Sequence, residues 1–418
     1  MQNNTSRVRV VVTGQGMISP IGNSVEEFWH NLTAGVSGIG PITLFDSSLV
    51  PVKIAGEVKG FDPDEYMDSK ASKRMARFSQ FAVAAAYQAV RNANLKIDAS
   101  NADLIASVVG TGGGAVGDVA DEGQVLFTRG SGRVSPFFLP RFIANMGACQ
   151  VGIHLGAKGP TMCNAGACAT GVISFADALR LLRSGEAEVA ITGSTEANIH
   201  PLNFAGFNNM GALSKRNDEP TRASRPFDKT RDGFVSGEGA GMMILETLEH
   251  ALQRDAPIIA ELIGAAVTGD AYHVSAPLPD GSGASLAMSR ALKQAGMQPE
   301  DVDLIVAHAT STPLNDVSET NAIKRVFGEH AYKLMITAPK SMVGHQLGAA
   351  GAISGAAAIL AIRDGIVPPT INLNTPDPEC DLDYVPNVKR KAKVRVAMVN
   401  GFAFGGQNAS AVFKAYER

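Results

Sequence analysis

The sequence predicts an α/β protein made of two related halves around a mostly parallel sheet. Two observations support this fold class. Short apolar runs rich in β-branched residues alternate with alanine-rich segments of helical periodicity, which is typical of strands covered by helices on both faces. A similar order of helix, strand and glycine-rich turn also recurs about 200 positions later, and such self-similarity indicates an internal duplication.

The first half of the chain begins with residues 8–12, an apolar run that predicts a strand, and residues 25–32 then show helical spacing. Residues 81–93 are alanine-rich and predict a second helix. They lead into residues 103–109, a continuous apolar run closed by glycine. This run predicts a strand that is buried on both faces.

The second half repeats this pattern, with a helix predicted over residues 285–295 and a strand over residues 303–307. Two further helices also correspond, one over residues 169–183 and one over residues 346–363. Each carries an arginine in its last turn and a glycine within the next two positions, as the helix dipole and a left-handed C-cap favour. We therefore predict an N-terminal half, residues 1–255, and a C-terminal half, residues 256–418.

Composition excludes several classes of protein. The formal net charge is -3 over 418 residues, so a nucleic-acid backbone binder is not expected. The N-terminal segment lacks the apolar stretch of a secretory signal, and the longest uncharged stretch, residues 341–362, contains a histidine, a glutamine and glycines, which suit a buried helix better than a membrane span. Four cysteines without a CxxC pair indicate a reduced thiol protein. We expect a cytoplasmic enzyme that does not bind a membrane.

Cys168 is the first candidate for chemistry. All its neighbours from Asn164 to Gly171 are small, and the residue lies at the start of a predicted helix. The helix dipole and the free amides there stabilise a thiolate and should lower the pKa of the thiol. The alternative, a small buried apolar residue, is equally compatible with this position. The other three cysteines lack this setting.

Three more polar residues, His308, Lys340 and His345, follow predicted strands and precede helices. Ligands of open α/β sheets collect at the carboxyl ends of strands. Any one histidine could be structural, but four polar residues at equivalent strand ends favour a site. A zinc ion held by Cys168 and the two histidines is a less favoured alternative, because structural zinc ligands usually come in closely spaced pairs. We expect no metal.

The late glycine-rich loop, residues 400–408, follows a predicted strand and contains Phe402 and Phe404. Its glycines allow close backbone approach, so the loop could present amides to a developing oxyanion. The glycine cluster at residues 110–114 lacks the acidic residue expected of a dinucleotide site, and no cofactor is expected.

Several motifs in this order resemble the β-ketoacyl-acyl carrier protein synthases, the condensing enzymes of the thiolase superfamily, over essentially the whole chain. The motifs are Gly166-Ala167-Cys168-Ala169-Thr170-Gly171, Arg225-Pro226-Phe227-Asp228, Arg231-Asp232-Gly233-Phe234, His308-Ala309-Thr310-Ser311-Thr312-Pro313, Lys340-Ser341-Met342-Val343-Gly344-His345 and Gly401-Phe402-Ala403-Phe404-Gly405-Gly406. The resemblance implies a thiolase-like fold of five αβαβα layers, a homodimer, and the condensation of an acyl thioester with malonyl-acyl carrier protein in fatty acid synthesis.

The resemblance also implies roles for individual residues. Cys168 would carry the acyl chain, His308 and His345 would assist decarboxylation, and Lys340 would belong to the same catalytic group. The amides of Cys168 and Phe404 would bind an oxyanion, and Phe404 would gate the acyl pocket. A degradative thiolase uses a second cysteine, which the late loop lacks. The implied substrate-binding residues are Gly113, Phe402, Thr310 and Thr312.

Four positions depart from the family pattern. Ser354 stands where many relatives carry a glutamate that pairs with the residue equivalent to Lys340, so the partner of this lysine is open. Ala309 replaces a glycine, and Gln407 replaces a threonine or histidine. Gly113 stands where the common fatty-acid enzyme has isoleucine, which suggests a roomier pocket for longer or unusual chains.

The expected partner is an acidic acyl carrier protein. The basic residues that align with its docking surface in the family are Lys70, Lys73, Arg74, Arg133 and Arg216. One alternative function is a ketosynthase of a type II polyketide or other specialised pathway, which would share the same catalytic residues. A second is a non-catalytic chain-length factor, which is less favoured because such subunits typically replace the cysteine.

Overall fold

The structure is a computed structural model that describes residues 8–417. Residues 1–7, the start of the segment in which we expect no secretory signal, lie outside the described residues. The strands are β1 (Val10–Ile18), β2 (Ile39–Pro41), β3 (Ile54–Gly56), β4 (Ile105–Gly110), β5 (Thr161–Met162), β6 (Val189–Glu196), β7 (Gly239–Thr247), β8 (Ala260–Gly269), β9 (Leu304–Val306), β10 (Met335–Thr337), β11 (Ile366–Val367), β12 (Arg390–Lys391), β13 (Val396–Ala403) and β14 (Gln407–Lys414). The helices are α1 (Val25–Ala34), α2 (Ser69–Ser72), α3 (Arg77–Asn92), α4 (Val116–Arg129), α5 (Phe138–Phe142), α6 (Met146–Leu155), α7 (Thr170–Ser184), α8 (Pro201–Asn209), α9 (Pro220–Ala223), α10 (Leu248–Gln253), α11 (Ser282–Ala295), α12 (Pro313–Phe327), α13 (Lys340–Val343) and α14 (Ala350–Asp364).

The main sheet repeats one strand order twice. Ten strands run in the order β10-β9-β13-β14-β8-β1-β7-β6-β4-β5. Outward from the β8–β1 junction, the first half adds β7, β6, β4 and β5, and the second half adds β14, β13, β9 and β10. In each half the first two pairs are antiparallel and the outer two are parallel. This topology matches the duplication predicted from the sequence.

The expectation of a mostly parallel sheet is wrong. The sheet is mixed, and its centre is antiparallel because β1 and β8 pair with each other as well as with β7 and β14. A strand buried on both faces is an apolar run in either direction, so hydrophobic periodicity does not encode strand orientation.

The helices form the layers that the resemblance implies. Helix α3 packs on β1 and β7, and α11 packs on β8 and β14. Helices α7 and α14 pack against each other between the two halves, α7 on β6 and α14 on β13. The resulting arrangement is the five-layered αβαβα fold. The chain passes from one half to the other between α10 and β8, and the division at residues 255/256 remains a prediction.

The apolar helix α14 is a core helix. The window Leu347–Asp364 is long and apolar enough to cross a membrane, but 78% of it is buried inside the fold. Within residues 8–417 it is the one such segment. Both central helices end as predicted, with Gly185 at φ +80° after α7 and Gly365 at φ +63° after α14.

Candidate active site

The two central helices begin close together, and their first turns hold the candidate residues. Cys168 lies in a short 3-10 turn that leads into α7, and His345 lies just before the corresponding turn that leads into α14. A Cβ at Gly171 would come within 2.4 Å of the backbone of α14, and a Cβ at Gly351 within 2.7 Å of the backbone of α7. Glycine at both positions therefore lets the helix starts approach each other.

Both turns contain a residue in the left-handed region, Ala167 at φ +45° and Leu347 at φ +44°. Such values are uncommon for residues other than glycine and cluster at functional sites. The strained backbone turns the chain sharply at the start of each helix. This turn presents Cys168 toward the second half of the molecule.

The structure brings Cys168, His308 and His345 together. The Nε2 atom of His345 lies 3.0 Å from the sulfur of Cys168. The two imidazole rings lie 5.5 Å apart and nearly perpendicular, at 86°, and the ligating atoms of all three residues lie within 4.8 Å of one another. All three side chains are buried. The structure thus brings these three candidate residues together, and their catalytic roles remain a prediction.

Burial controls the protonation of this group. It raises the pKa of the Cys168 thiol to about 12, against the lowering effects of the charge on Lys340 and the amides of Phe404 and Cys168. Burial, together with the nearby charge of Lys340, also holds the pKa of His308 and of His345 well below the usual range. The expectation of a lowered thiol pKa is therefore wrong for the resting site, because desolvation outweighs the helix start. At neutral pH the site holds a thiol beside two neutral imidazoles.

In many relatives the residue equivalent to Lys340 pairs with a glutamate at the position that Ser354 occupies here. In this structure Lys340 has a different partner. Its Nζ donates to the backbone carbonyl of His308 at 2.5 Å. Burial lowers its pKa to about 8, and the charge of Glu319 is the largest effect that opposes this shift. The partner of Lys340, which Ser354 left open, is therefore the backbone carbonyl of His308 at the end of β9. The nearby negative charge comes from Glu319.

Glu319, on α12, fixes the backbone around His308. Its two carboxylate oxygens accept from the amides of His308 at 2.8 Å and Ala309 at 2.7 Å. Ala309 adopts φ +42°, a conformation that favours the glycine of the family pattern. The two charge-assisted hydrogen bonds hold this residue in place. The sequence analysis did not find Glu319.

The two arginine motifs, residues 225–228 and 231–234, contact the loop between His308 and α12. The Arg231 side chain donates to the carbonyls of Thr312 and Pro313, each at 3.1 Å, and to Asp377 at 2.5 Å. The amide of Arg225 donates to the Ser311 hydroxyl at 2.9 Å. These contacts give the motifs a structural function, which is to position the loop between His308 and α12.

Two cavities meet at Cys168. The outer cavity has a volume of about 380 Å³ and is lined by both histidines and by Thr310, Thr312 and Phe402. The inner cavity, of about 180 Å³, is lined by Gly113 and by residues of β6 and α8. Three residues line both cavities: Cys168, Leu347 and Phe404. The candidate substrate-binding residues are thus divided between an outer and an inner chamber.

Phe404 lies at the boundary between these cavities, in the turn that joins β13 to β14. Its side chain is 36% exposed. The following Gly405 adopts φ +81°, and its amide donates to the carbonyl of Val274 at 2.7 Å. The carbonyl of Gly406 accepts from the amide of Asp270 at 2.8 Å. Backbone contacts to the loop after β8 therefore hold Phe404 at the boundary.

Glu196, at the end of β6, is a second acidic residue that sequence reasoning missed. Its carboxyl oxygens accept from the amides of Gly112 and Gly348, both at 2.9 Å, from the amide of Gly113 at 3.3 Å and from the Thr111 hydroxyl at 3.2 Å. Burial raises its pKa to about 7. A charged residue closing an otherwise uncharged strand was the signal in the sequence.

The basic residues expected at a docking surface occupy different environments. Lys70, Lys73, Arg74 and Arg133 are exposed, and the Arg74 guanidinium stacks on Phe137 at 4.5 Å. Arg216 differs from the other four. It is partly buried, lies 3.9 Å from Glu219 and 3.8 Å from Asp232, and donates to a backbone carbonyl. Much of its charge is already compensated.

The atoms of Cys168, His308 and His345 are also of the types that bind zinc. Binding would require loss of the thiol proton, which burial opposes. The expectation of a metal-free site remains a prediction.

Comparisons with known proteins agree on one family. Residues 7–251 match the model of the β-ketoacyl synthase N-terminal domain, and residues 259–374 match that of the C-terminal domain. The chain is 52% identical over 414 residues to a 3-oxoacyl-(acyl-carrier-protein) synthase 2 of Synechocystis sp., covering 99% of this chain and 100% of the relative. It is 47% identical over 404 residues to the protein of the same name from Coxiella burnetii, covering 97% and 98%.

Solved structures show the same similarity. The ishigamide ketosynthase/chain length factor matches with a TM-score of 0.93 at 38% identity, covering 99% of this chain and 100% of the other. A β-ketoacyl synthase from Burkholderia phymatum matches with a TM-score of 0.91 at 33% identity, covering 98% and 100%. A type II polyketide ketosynthase in complex with its acyl-carrier protein matches with a TM-score of 0.88 at 34% identity, covering 99% and 100%.

Proposed function

The chain belongs to the β-ketoacyl synthase family, and we propose that it condenses an acyl thioester, carried on Cys168, with malonyl-acyl carrier protein. The product is a β-ketoacyl-acyl carrier protein two carbons longer, in fatty acid synthesis. The observation that carries the proposal is the 3.0 Å contact between the Cys168 sulfur and His345 Nε2, with His308 beside it.

The first step transfers the acyl chain to the enzyme. The sulfur of Cys168 attacks the thioester carbonyl of the acyl carrier protein, a carbon–sulfur bond forms, and the carrier thiol leaves with the proton of the Cys168 thiol. The backbone amides of Cys168 and Phe404 both act on this sulfur in the direction that lowers its pKa. They are therefore placed to bind the oxyanion that develops next to it.

The second step generates the carbon nucleophile. The malonyl carboxylate leaves as CO₂, and the electron pair of the broken carbon–carbon bond becomes an enolate. The low pKa values of His308 and His345 keep both imidazoles neutral, so each carries one N–H that can donate to the thioester oxygen. No strong base is needed, because decarboxylation itself supplies the electron pair.

The third step forms the new carbon–carbon bond. The enolate attacks the acyl group on Cys168, the carbon–sulfur bond to Cys168 breaks, and the thiolate leaves and takes up a proton from solvent. We assign Lys340 the task of holding the His308 carbonyl and supplying positive charge near the thiolate. Its hydrogen bond to that carbonyl and its burial support this assignment.

We infer that the carrier protein docks through the exposed basic group Lys70, Lys73, Arg74 and Arg133. Carrier proteins of this family are acidic, and clustered positive charge steers such a partner to its site. Arg216 would contribute less, since Glu219 and Asp232 already compensate its charge.

We also propose that the protein is a homodimer. Strand β5 is the outer strand of the ten-stranded sheet, and both its residues are exposed. The segment around it exposes many large apolar side chains, which is unusual for a monomer. These side chains are Val116, Val119, Leu126, Phe127, Phe137, Leu139, Ile143, Ile153 and Met162. A second copy would extend the sheet and cover them.

We place the enzyme in the cytoplasm, where carrier-protein-dependent synthesis takes place.

A second candidate function is a ketosynthase of a type II polyketide or other specialised acyl pathway. Two of the similar solved structures bear such titles. The inner cavity also supports it, since a Cβ at Gly113 would lie 3.7 Å from its nearest neighbours and the position leaves room for an unusual chain.

Intact-protein mass tests the proposal. The enzyme is mixed with acyl-carrier proteins of graded chain length, and malonyl-carrier protein is then added. The expected result is an acyl adduct on wild type, none on Cys168→Ala, and a β-ketoacyl product two carbons longer. A wild-type enzyme that takes up no acyl group and makes no product would contradict the condensing function and favour a chain-length factor.

A further inference from the structure

The inner cavity contains a polar side chain that the condensation does not use. Asn198, two residues after β6, lines this cavity together with Cys168 and is only 4% exposed. Its Nδ2 donates to the Ser236 hydroxyl at 3.2 Å. Its Oδ1 is buried and has no hydrogen-bond partner within the described chain.

The neighbouring polar groups do not supply a donor to this oxygen. The Nδ2 atom of Asn203 is directed at the backbone carbonyl of Asn198, at 2.9 Å. The carboxyl group of Glu196, which also lines the cavity, accepts four hydrogen bonds from other groups. Buried amide oxygens without a donor are uncommon in native proteins, because the lost hydrogen bond destabilises the fold. The lining of the inner cavity therefore includes a side chain whose amide oxygen has no donor within the described chain.

We propose that the inner cavity takes an acyl chain bearing a hydroxyl group, and that Asn198 recognises this hydroxyl. The inference rests on the proposed function, since the chain must enter the inner cavity from Cys168. A hydroxyl can donate to Asn198 Oδ1. A saturated chain leaves that oxygen unpaired, and a keto group has no proton to donate. Sites that hydrogen-bond a substrate hydroxyl discriminate well against analogues that lack it.

The size of the cavity sets the chain length to test. A cavity of about 150 Å³ holds a benzene ring, so the inner cavity, at about 180 Å³, has room for about six to eight carbons. Gly113 contributes to this room, because its missing side chain leaves space beside Val116 and Glu196. A hydroxylated chain of this length could lie along the wall that Asn198 forms.

The test compares acyl-carrier proteins loaded with chains of about eight carbons: the saturated chain, chains with one hydroxyl at successive carbons, and the matching keto chains. The rate of Cys168 acylation is read from intact-protein mass. We expect at least one hydroxylated chain to load about fivefold or more faster than the saturated chain, and the keto chains to show no such gain. In Asn198→Ala this preference should disappear.

Two further variants serve as a surface control and as a substitute for Asn198→Ala. Asn209→Ala, on the exposed surface of α8, should retain the wild-type preference. Asn198→Leu, which keeps a similar volume, replaces Asn198→Ala if thermal melting shows that the smaller variant does not fold. Equal loading of saturated and all hydroxylated chains by wild type would overturn this inference and leave the condensing function intact. A preference that persists in the folded Asn198 variant would also overturn it. A wild type that loads no chain would overturn both.

Discussion

The Nε2 atom of His345 lies 3.0 Å from the sulfur of Cys168, although 177 positions separate the two residues in the chain. The contact follows from the duplication, because α7 and α14 are equivalent helices whose starts meet across the centre of the molecule. Close approach at Gly171 and Gly351 allows this meeting. The candidate nucleophile therefore comes from one half, and the imidazole beside it comes from the other.

The pH dependence of Cys168 alkylation tests the effect of burial. Burial raises the pKa of this thiol to about 12, so the thiol stays protonated through neutral pH. We expect the rate of iodoacetamide alkylation, followed by mass, to rise continuously up to the highest pH at which the enzyme remains folded. Cys168→Ala gives the background from the other cysteines. A plateau below pH 8 would contradict the raised pKa.

Lys340 should produce a second pH effect. Burial lowers its pKa to about 8, so the ammonium loses its charge as the pH rises through that value. Condensation should therefore fall as the pH passes about 8, since the charge supports the thiolate and the His308 carbonyl. Lys340→Met should be slower at pH 7, by about 10²- to 10³-fold, and should lack this fall. A variant with an unchanged pH profile would show that another group titrates.

Gly113→Ile should shorten the preferred acyl chain. A Cβ at this position meets its nearest neighbours at 3.7 Å, an ordinary contact, so the variant should fold and its branched side chain should fill part of the inner cavity. Chain-length profiles of acylation are measured for both proteins. Identical profiles would exclude a role for Gly113 in the size of the pocket.

Charge reversal should show which basic residues contribute to the binding of acyl-carrier protein. Lys70→Glu and Lys73→Glu should each raise KM for acyl-carrier protein, with little change in kcat, and the effect should shrink at high salt. Arg216→Glu should raise KM less, since Glu219 and Asp232 already compensate this arginine. Lys293→Glu, on α11 in the other half, serves as a control that should leave KM unchanged. Equal effects at all four positions would argue against a localised docking surface.

Gly351→Ala should reduce activity and stability together. Its Cβ would lie 2.7 Å from the backbone amide of Val172 on α7, so the two helix starts must move apart and carry His345 away from Cys168. Thermal melting and condensation assays measure both effects. Gly206→Ala, in α8, is the matched control. Its Cβ meets nothing within 4 Å, and alanine favours a helix over glycine, so stability should be unchanged or slightly higher.

Much of the site could be predicted from the chain alone. Cys168, His308 and His345 were each recognisable as polar residues at the ends of apolar strands, and the structure brings them together. The duplication was visible because equivalent segments keep the same periodicity and the same helix-ending glycines. These signals are local, because the backbone conformation and the burial that a residue prefers depend mainly on the residues next to it in the chain.

Other features depend on contacts between distant segments. Glu319 and Glu196 hold the active-site backbone through carboxylates that lie in other elements, and no local pattern indicates where their hydrogen bonds go. Lys340 donates to the backbone carbonyl of His308, 32 positions away. Because this partner is a backbone group in another segment, the serine at position 354 gave no information about the partner of Lys340.

The order of strands and helices, the two related halves and the candidate reactive side chains could be predicted from the chain, because periodicity, capping and residue chemistry act over a few neighbouring positions. The folded structure was needed to establish the antiparallel centre of the sheet, the partner of Lys340, the unpaired oxygen of Asn198 and the protonation of Cys168. Strand pairing is set by contacts between distant segments, and a pKa depends on how completely water is excluded. The helix start favours the thiolate, yet the burial of Cys168 outweighs this effect.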